Sequence, residues 1–148
     1  MHYFVFPEID TTLYQASGSS NAGLDEILEI QKTMSNSGGN INVSRILIKF
    51  DISEISSSIV NGTISTDAKY YLNMYDAGSE ELSTSQSLWA YPVSQSWVEG
   101  QGTFSDNPKT TEGASWNFRD GLTQKTYWLS GSEAAASSSG GSWHEEVC

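Results

Sequence analysis

Cysteine is almost absent from this chain: Cys148, the last residue, is the only one in 148. One thiol can neither close an intrachain disulfide nor build a thiolate metal cluster, and it leaves the redox compartment open. Histidine is nearly as scarce, with His2 and His144 both close to the termini. A zinc-protease helix needs His-Glu-x-x-His, and Trp143-His144-Glu145-Glu146 lacks the second histidine, so no metal site is expected there. The Gly-x-Ser-x-Gly elbow and the Gly-x-x-x-x-Gly-Lys phosphate loop are missing as well. Positive charge is short: 7 Lys and Arg face 18 Asp and Glu, a formal charge of −11. Such a chain repels phosphate backbones and anionic bilayers, so neither nucleic acid nor a membrane is an expected partner. An acidic, solvated surface is the ordinary reading, with a divalent cation or a basic protein as the sharper one. No apolar run approaches the roughly 18 residues that cross a bilayer. The start Met1-His2-Tyr3-Phe4-Val5-Phe6 has no basic segment of a signal peptide, which implies synthesis and folding in a cytoplasm, with later release inside a particle still compatible.

What is abundant is Ser, Gly, Thr and aromatic residues, a mixture that suits an all-β domain with many turns. A chain of this length buries roughly 68–70% of its unfolded surface, enough for a core, and a single domain over 1–148 is expected. The clearest strand is Arg45 to Asp51, with Ile46, Ile48 and Phe50 on one face and Arg45, Lys49 and Asp51 on the other. Ala68 to Tyr75 alternates likewise, setting Ala68, Tyr70, Leu72 and Met74 against Lys69, Tyr71, Asn73 and Tyr75. Tyr3 to Phe6, ended by Pro7, Leu88 to Ser94, with Pro92 at an edge or strand end, and Lys125 to Leu129 are further candidates. Leu24 to Gln31 carries both helical and alternating spacing and is read as a strand. Glu54 to Ile59 is read as a single helical turn weakened by its serines. Turns are marked at Ser17 to Asn21, Ser35 to Asn40, Asn61-Gly62, Asp76 to Ser79, Gly100 to Asn107 and Ser137 to Ser142, and Glu133 to Gly141 reads as a low-complexity loop.

Ser96-Trp97-Val98-Glu99-Gly100-Gln101-Gly102-Thr103 and Glu112-Gly113-Ala114-Ser115-Trp116 place two tryptophans beside glycine-rich turns, as at the rim of a β-sandwich. Together with Asn21-Ala22-Gly23, Ile27 to Ile30, Arg45 to Ile52 and Ala68 to Leu72, they give an ordered set over about residues 10–143 that resembles the DNRLRE family. The hexapeptide that names this family is absent here. The resemblance implies a jelly-roll-like antiparallel β-sandwich related to carbohydrate-binding modules. Such modules continue past the position of Gly140-Gly141-Ser142-Trp143, whereas this chain stops at Cys148. The sandwich is therefore expected to be incomplete at its C-terminal edge, either as the N-terminal part of a longer protein or with strands supplied by a partner.

Proteins of this kind occur in polysaccharide-active enzymes, at cell surfaces and in tailed phages. The resemblance implies a non-enzymatic structural protein of a cyanophage-like virion (tail, baseplate, collar or capsid-associated), docked to other virion subunits in a homo-oligomeric or multi-copy assembly. The alternative it implies is a carbohydrate-binding module for a host surface polysaccharide. Trp97, Glu99 and Trp116 are the candidate ligand-binding residues, because an indole face suits the apolar face of a pyranose. A tryptophan at a strand end is more often core or rim packing, and that reading stands beside the first. Glu99 and Glu112 could form a carboxylate pair, but solvated loop carboxylates are the ordinary expectation in so acidic a chain. Tyr71, Tyr75 and Trp89 are candidate interface anchors. No catalytic group, metal ligand or cofactor is expected. Asp25, Asp51, Asp67, Asp76, Asp106 and Asp120 lie beside turns without calcium-loop spacing, so calcium is compatible but unspecified. Asn42-Val43-Ser44 and Asn61-Gly62-Thr63 match the glycosylation sequon and are read as coincidence.

Overall fold

The computed structural model describes residues 2–34, 39–78, 87–121, 125–129 and 140–143. The fold is all-β, with antiparallel pairing and one short helix. Its elements run β1 (Pro7–Tyr14), a 3-10 turn (Gln15–Ser17), β2 (Lys32–Met34), β3 (Ile41–Phe50), α1 (Ile52–Val60), β4 (Phe118–Asp120) and β5 (Thr126–Tyr127). One sheet has the order β1-β3-β2, and β4 and β5 form a second. β2 runs antiparallel to β3 with Lys32 opposite Val43, Thr33 opposite Asn42 and Met34 opposite Ile41. β4 and β5 pair Phe118 with Tyr127 and Asp120 with Thr126, with an irregularity between. The chain divides into two compact units, Met1–Glu8 with Lys49–Trp89, and Ile9–Ile48 with Ala90–Cys148.

The second unit holds the core. Leu13 of β1, Leu47 of β3, Ala114, Trp116 and Trp128 are buried together, with Val43, Val93 and Trp97 packed on them. The Trp128 indole N–H donates to the Ser115 carbonyl at 2.8 Å, so its one polar atom is satisfied inside the apolar cluster. β3 is rich in branched aliphatic residues, as a strand at the centre of a sheet should be. Its faces are the reverse of the expectation. Leu47, on the face with Arg45 and Lys49, is the buried one, while Ile46, Ile48 and Phe50 are only half-buried. Arg45 is tolerated on the inward face because aromatic rings cover it, as described below.

Other strand expectations are corrected. Tyr3 to Phe6 is not a strand; β1 begins at Pro7, where the missing N–H needs no ladder partner. Leu24 to Gln31 forms neither strand nor helix. Side-chain hydroxyls do most of the pairing there, beside one backbone bond from Ser44 N–H to the Gln31 carbonyl at 3.0 Å: Glu29 N–H donates to Thr12 Oγ1 at 3.1 Å, and Gln31 N–H to Ser44 Oγ at 2.8 Å. Ser44 Oγ in turn donates to the Glu29 carbonyl at 2.6 Å, and regular pairing starts only at Lys32. Leu88 to Ser94 contributes one bridge, Val93 to Trp143, followed by Ser94 N–H to the Ser142 carbonyl at 3.0 Å. Lys125 to Leu129 does contain a strand, the short β5.

In the first unit, Asp51 ends β3 and starts α1. Its Oδ1 accepts the Ser53 N–H at 2.8 Å, which satisfies one orphan donor of the first turn. Ile52, Ile55 and Ile59 fall at helical spacing, so α1 runs a full nine residues despite its serines, longer than the single turn expected. Glu8 and Lys49 pair at 2.9 Å, and the Tyr3 hydroxyl donates to Glu54. Ala68 to Tyr75 has strand-like alternation but takes no strand partner among the described residues, and its large side chains stay exposed.

Candidate functional site

Asn21 organises the loops around the Trp97–Glu99 segment. It is fully buried, and its amide makes all four bonds that it can. Nδ2 donates to the carbonyls of Glu99 (2.6 Å) and Ala114 (2.8 Å). Oδ1 accepts the N–H groups of Gly23 (3.1 Å) and Gly102 (2.8 Å). Three loops are thereby tied to one side chain. Such close approach leaves no room for Cβ atoms: one on Gly100 would lie 2.3 Å from the Glu112 carbonyl oxygen, and one on Gly113 2.4 Å from Gly100 Cα. Both glycines also hold positive φ, 83° and 93°, which L side chains rarely adopt. Val98 N–H donates to the Arg119 carbonyl (3.1 Å) and Ala114 N–H to the Val98 carbonyl (2.6 Å), fixing Trp97 and Glu99 on either side. Trp97 is half-buried against the core, and Glu99 Oε1 accepts the Asp10 N–H at 3.1 Å.

A second arrangement is a stack of rings around Arg45. The guanidinium lies 5.0 Å from the Trp116 ring centroid and 4.6 Å from that of Trp143. Nη1 donates to the Gly140 carbonyl at 2.6 Å. Burial lowers the Arg45 pKa from its ordinary value, while cation–π contact and the carbonyl favour the charged form. Tyr91 stands on Trp143 with centroids 6.2 Å apart and planes tilted by 38°. The order is Trp116, Arg45, Trp143, Tyr91, running from a buried ring to one that is 45% exposed. Gln95 accepts the Leu129 N–H at 2.8 Å and the hydroxyl of Ser142, the residue before Trp143. The Val93–Trp143 bridge fixes the backbone beside it.

A third cluster surrounds Phe104. Tyr14 packs on its ring at 4.4 Å, and Lys109 Nζ lies 4.6 Å from its centroid. Asp25 accepts the Phe104 N–H with both oxygens, each at 3.1 Å. The Tyr14 hydroxyl donates to Glu29 at 3.0 Å, and burial raises its pKa well above the ordinary value. Asp106 accepts from the Thr110 hydroxyl (2.6 Å), the Thr103 N–H (3.0 Å) and the Thr103 hydroxyl (2.7 Å). These bonds, Thr110 first, hold its carboxyl down at about 2. Phe104 thus carries Tyr14 and Lys109 on its ring, and the Asp25 and Asp106 carboxylates tie the loop around it.

The profile of carbohydrate-binding module family 96 matches residues 2–129. The chain belongs to this family. Carbohydrate-binding modules are non-catalytic, and the match gives no support to the virion context of the resemblance. No curated protein and no solved structure matches the chain.

Within this module the expected ligand residues fall in one unit, but Trp116 is only 6% exposed, with Arg45 over its ring. It cannot act as an open stacking platform; a ring at the start of the buried stack is its place. Glu99 serves a backbone N–H, and Glu112 is exposed. Tyr71, Tyr75 and Trp89 are exposed at 77%, 95% and 79%, all in the first unit. Asp51 caps α1 and Asp76 accepts the Gly78 N–H, so these turn aspartates serve the backbone. No group of three or more His, Cys, Asp or Glu side chains converges among the described residues. His144 and Cys148 lie outside the described residues. The residues that sequence reasoning missed are Asn21, Arg45 and Tyr91. Only the isolated charge in the aliphatic run of β3 hinted at one of them.

Proposed function

We propose that the module binds carbohydrate at the outer end of the Arg45 stack. Family membership over most of the chain supports the ligand class, and the layered Tyr91–Trp143–Arg45–Trp116 arrangement is the observation that carries the site. The apolar face of a pyranose ring packs on Tyr91, while the sugar hydroxyls reach the Gln95 and Ser94 region. Trp143 is held flat by Arg45 beneath it, so little side-chain freedom is lost on binding. Trp97 packs on the core and Glu99 accepts a backbone N–H, so both are given a structural part in this reading.

Affinity electrophoresis of the full chain through gels carrying soluble polysaccharides tests the reading. Retardation by at least one glycan is expected, with Tyr91→Ala weakening it about tenfold, on the order of 1.4 kcal/mol. Unchanged retardation in Tyr91→Ala would move the site elsewhere.

Docking to other subunits of a virion through Tyr71, Tyr75 and Trp89 is the second reading, favoured by the exposure of those side chains alone. Co-sedimentation with gradient-purified particles would support it, and a protein absent from particles would exclude it.

A further inference from the structure

Of the asparagines in this chain, only Asn61 is followed by glycine. It stands directly after Val60, where α1 ends, and Asn61, Gly62 and Thr63 are all exposed. Asn61 Oδ1 accepts the Thr63 N–H at 3.0 Å. A side chain that reaches the N–H two residues on lies folded over the intervening peptide, here that of Gly62. Asn61 Cγ and the Gly62 nitrogen are thereby drawn to one side of a small ring that is a single bond short of closing. Gly62 holds φ at 77° and has nothing within 4 Å of where a Cβ would stand, so the ring and an attacking water both have room. One bond opposes closure: Gly62 N–H donates to the Ile59 carbonyl at 3.1 Å and must be released first. It lies at the exposed end of α1, where helices fray.

Elsewhere a part is missing. Asn21 is buried, and its amide is committed to four bonds. Asn42 stands in β3, paired with Thr33 and followed by the branched Val43. Asn107 precedes Pro108, whose nitrogen has no proton to give up. Asn73 is as open to solvent as Asn61, but Met74 puts a side chain where the ring would form.

We infer that Asn61 is a modification site, which deamidates without an enzyme through a succinimide formed with Gly62 and gives aspartyl and isoaspartyl products. The Gly62 nitrogen bonds to Asn61 Cγ and the Cγ–Nδ2 bond breaks. Nδ2 leaves as ammonia with the proton that Gly62 gives up. Water then opens the ring. Attack at Cγ restores the original backbone beside a new carboxylate, and attack at the Asn61 main-chain carbonyl routes the backbone through Cγ. Either product sets a negative charge at the C-terminal end of α1, whose last turn carries no basic side chain to offset it. The site stands apart from the carbohydrate-binding reading above.

Incubation of the full chain in warm, mildly alkaline buffer, followed by peptide mass mapping, tests the inference. The mass gained when an amide becomes an acid should appear at Asn61 several-fold faster than at Asn73. It should appear more slowly in mildly acidic buffer, because the Gly62 nitrogen attacks after losing its proton. The isoaspartyl product, read by methylation with an isoaspartyl methyltransferase, should outweigh the aspartyl one. Gly62→Ala should slow the change several-fold. Asn61→Gln keeps Gly62 and needs a larger ring, so it should slow the change as well without altering the left-handed turn. Equal rates at Asn61 and Asn73, either variant reacting as fast as the parent, or an aspartyl product with no isoaspartyl counterpart overturns the inference.

Discussion

In the unit formed by Met1–Glu8 and Lys49–Trp89, the side chains that accept backbone N–H groups among the described residues serve their own neighbours. Asp51 takes the N–H of Ser53, Asn61 that of Thr63, Ser65 that of Asp67 and Asp76 that of Gly78, each two residues along. In Ile9–Ile48 with Ala90–Cys148, side chains also reach across the chain: Asn21 to Glu99, Gly102 and Ala114, Glu99 to Asp10, and Arg45 to Gly140. A turn closed on itself can form before anything else folds, and it stabilises little. A bond between distant segments exists only in the folded chain and is lost with it. The difference teaches that this module invests its cooperativity in loops around one amide as much as in its short strands.

Breaking the amide should produce the largest effect. Asn21→Ala removes four bonds and leaves two buried N–H groups and two buried carbonyls short of a partner, so a loss of about 3–6 kcal/mol in a urea titration is expected. Asn61→Ala, its counterpart in the exposed turn, should cost under about 1 kcal/mol. Equal losses would erase the contrast. Next come two glycines with similar backbone. Gly113→Ala meets Gly100 Cα at 2.4 Å and should cost about 2–4 kcal/mol by the same measurement. Gly62, with φ 77° and nothing within 4 Å, carries only the left-handed penalty, so Gly62→Ala should cost about 1–2 kcal/mol. Asp51→Ala tests the local devices directly; loss of the α1 cap should cost about 1 kcal/mol, read as reduced helical signal and a lower Tm.

The smallest effect is a pH dependence. The Asp106 carboxyl titrates at about 2 in the fold, against an ordinary value of 3.8. Between these values the unfolded chain binds more protons, so stability rises with pH. The contribution is complete above pH ~4 and is lost as pH falls through about 2. Thermal melts from pH 5 to pH 2 should show a shallower acid decline in Asp106→Asn than in the parent. Parallel declines would mean that the Thr103 and Thr110 bonds do not distinguish the charged form.

The sequence made β3 legible because an aliphatic run needs no distant partner to be recognised. It also made the body of α1 legible in outline, from Glu54 to Ile59, though not its start at Ile52. β1 escaped because Thr11, Thr12, Leu13 and Tyr14 are all buried, so the two-residue alternation that marks a half-exposed strand is absent. Ala68 to Tyr75 failed in the opposite sense: alternation was present, but pairing depends on a neighbour that alternation does not supply. At the site, Trp97, Glu99 and Trp116 were recognised as rim residues, yet the depth of Trp116 depends on Arg45 from a distant strand. Asn21 looked like an ordinary turn residue, and its four partners come from separated segments that no spacing rule connects.

The Asn21 amide also sets a clock. Gly23 and Gly102 lie outside any strand or helix, where backbone amides ordinarily exchange with solvent deuterium within seconds. Both donate to a fully buried Asn21 Oδ1, so neither proton can leave until the surrounding loops open. These two glycines should therefore exchange as slowly as the centre of β3 and far more slowly than α1. The most persistent part of the molecule would then be a stretch with no regular secondary structure.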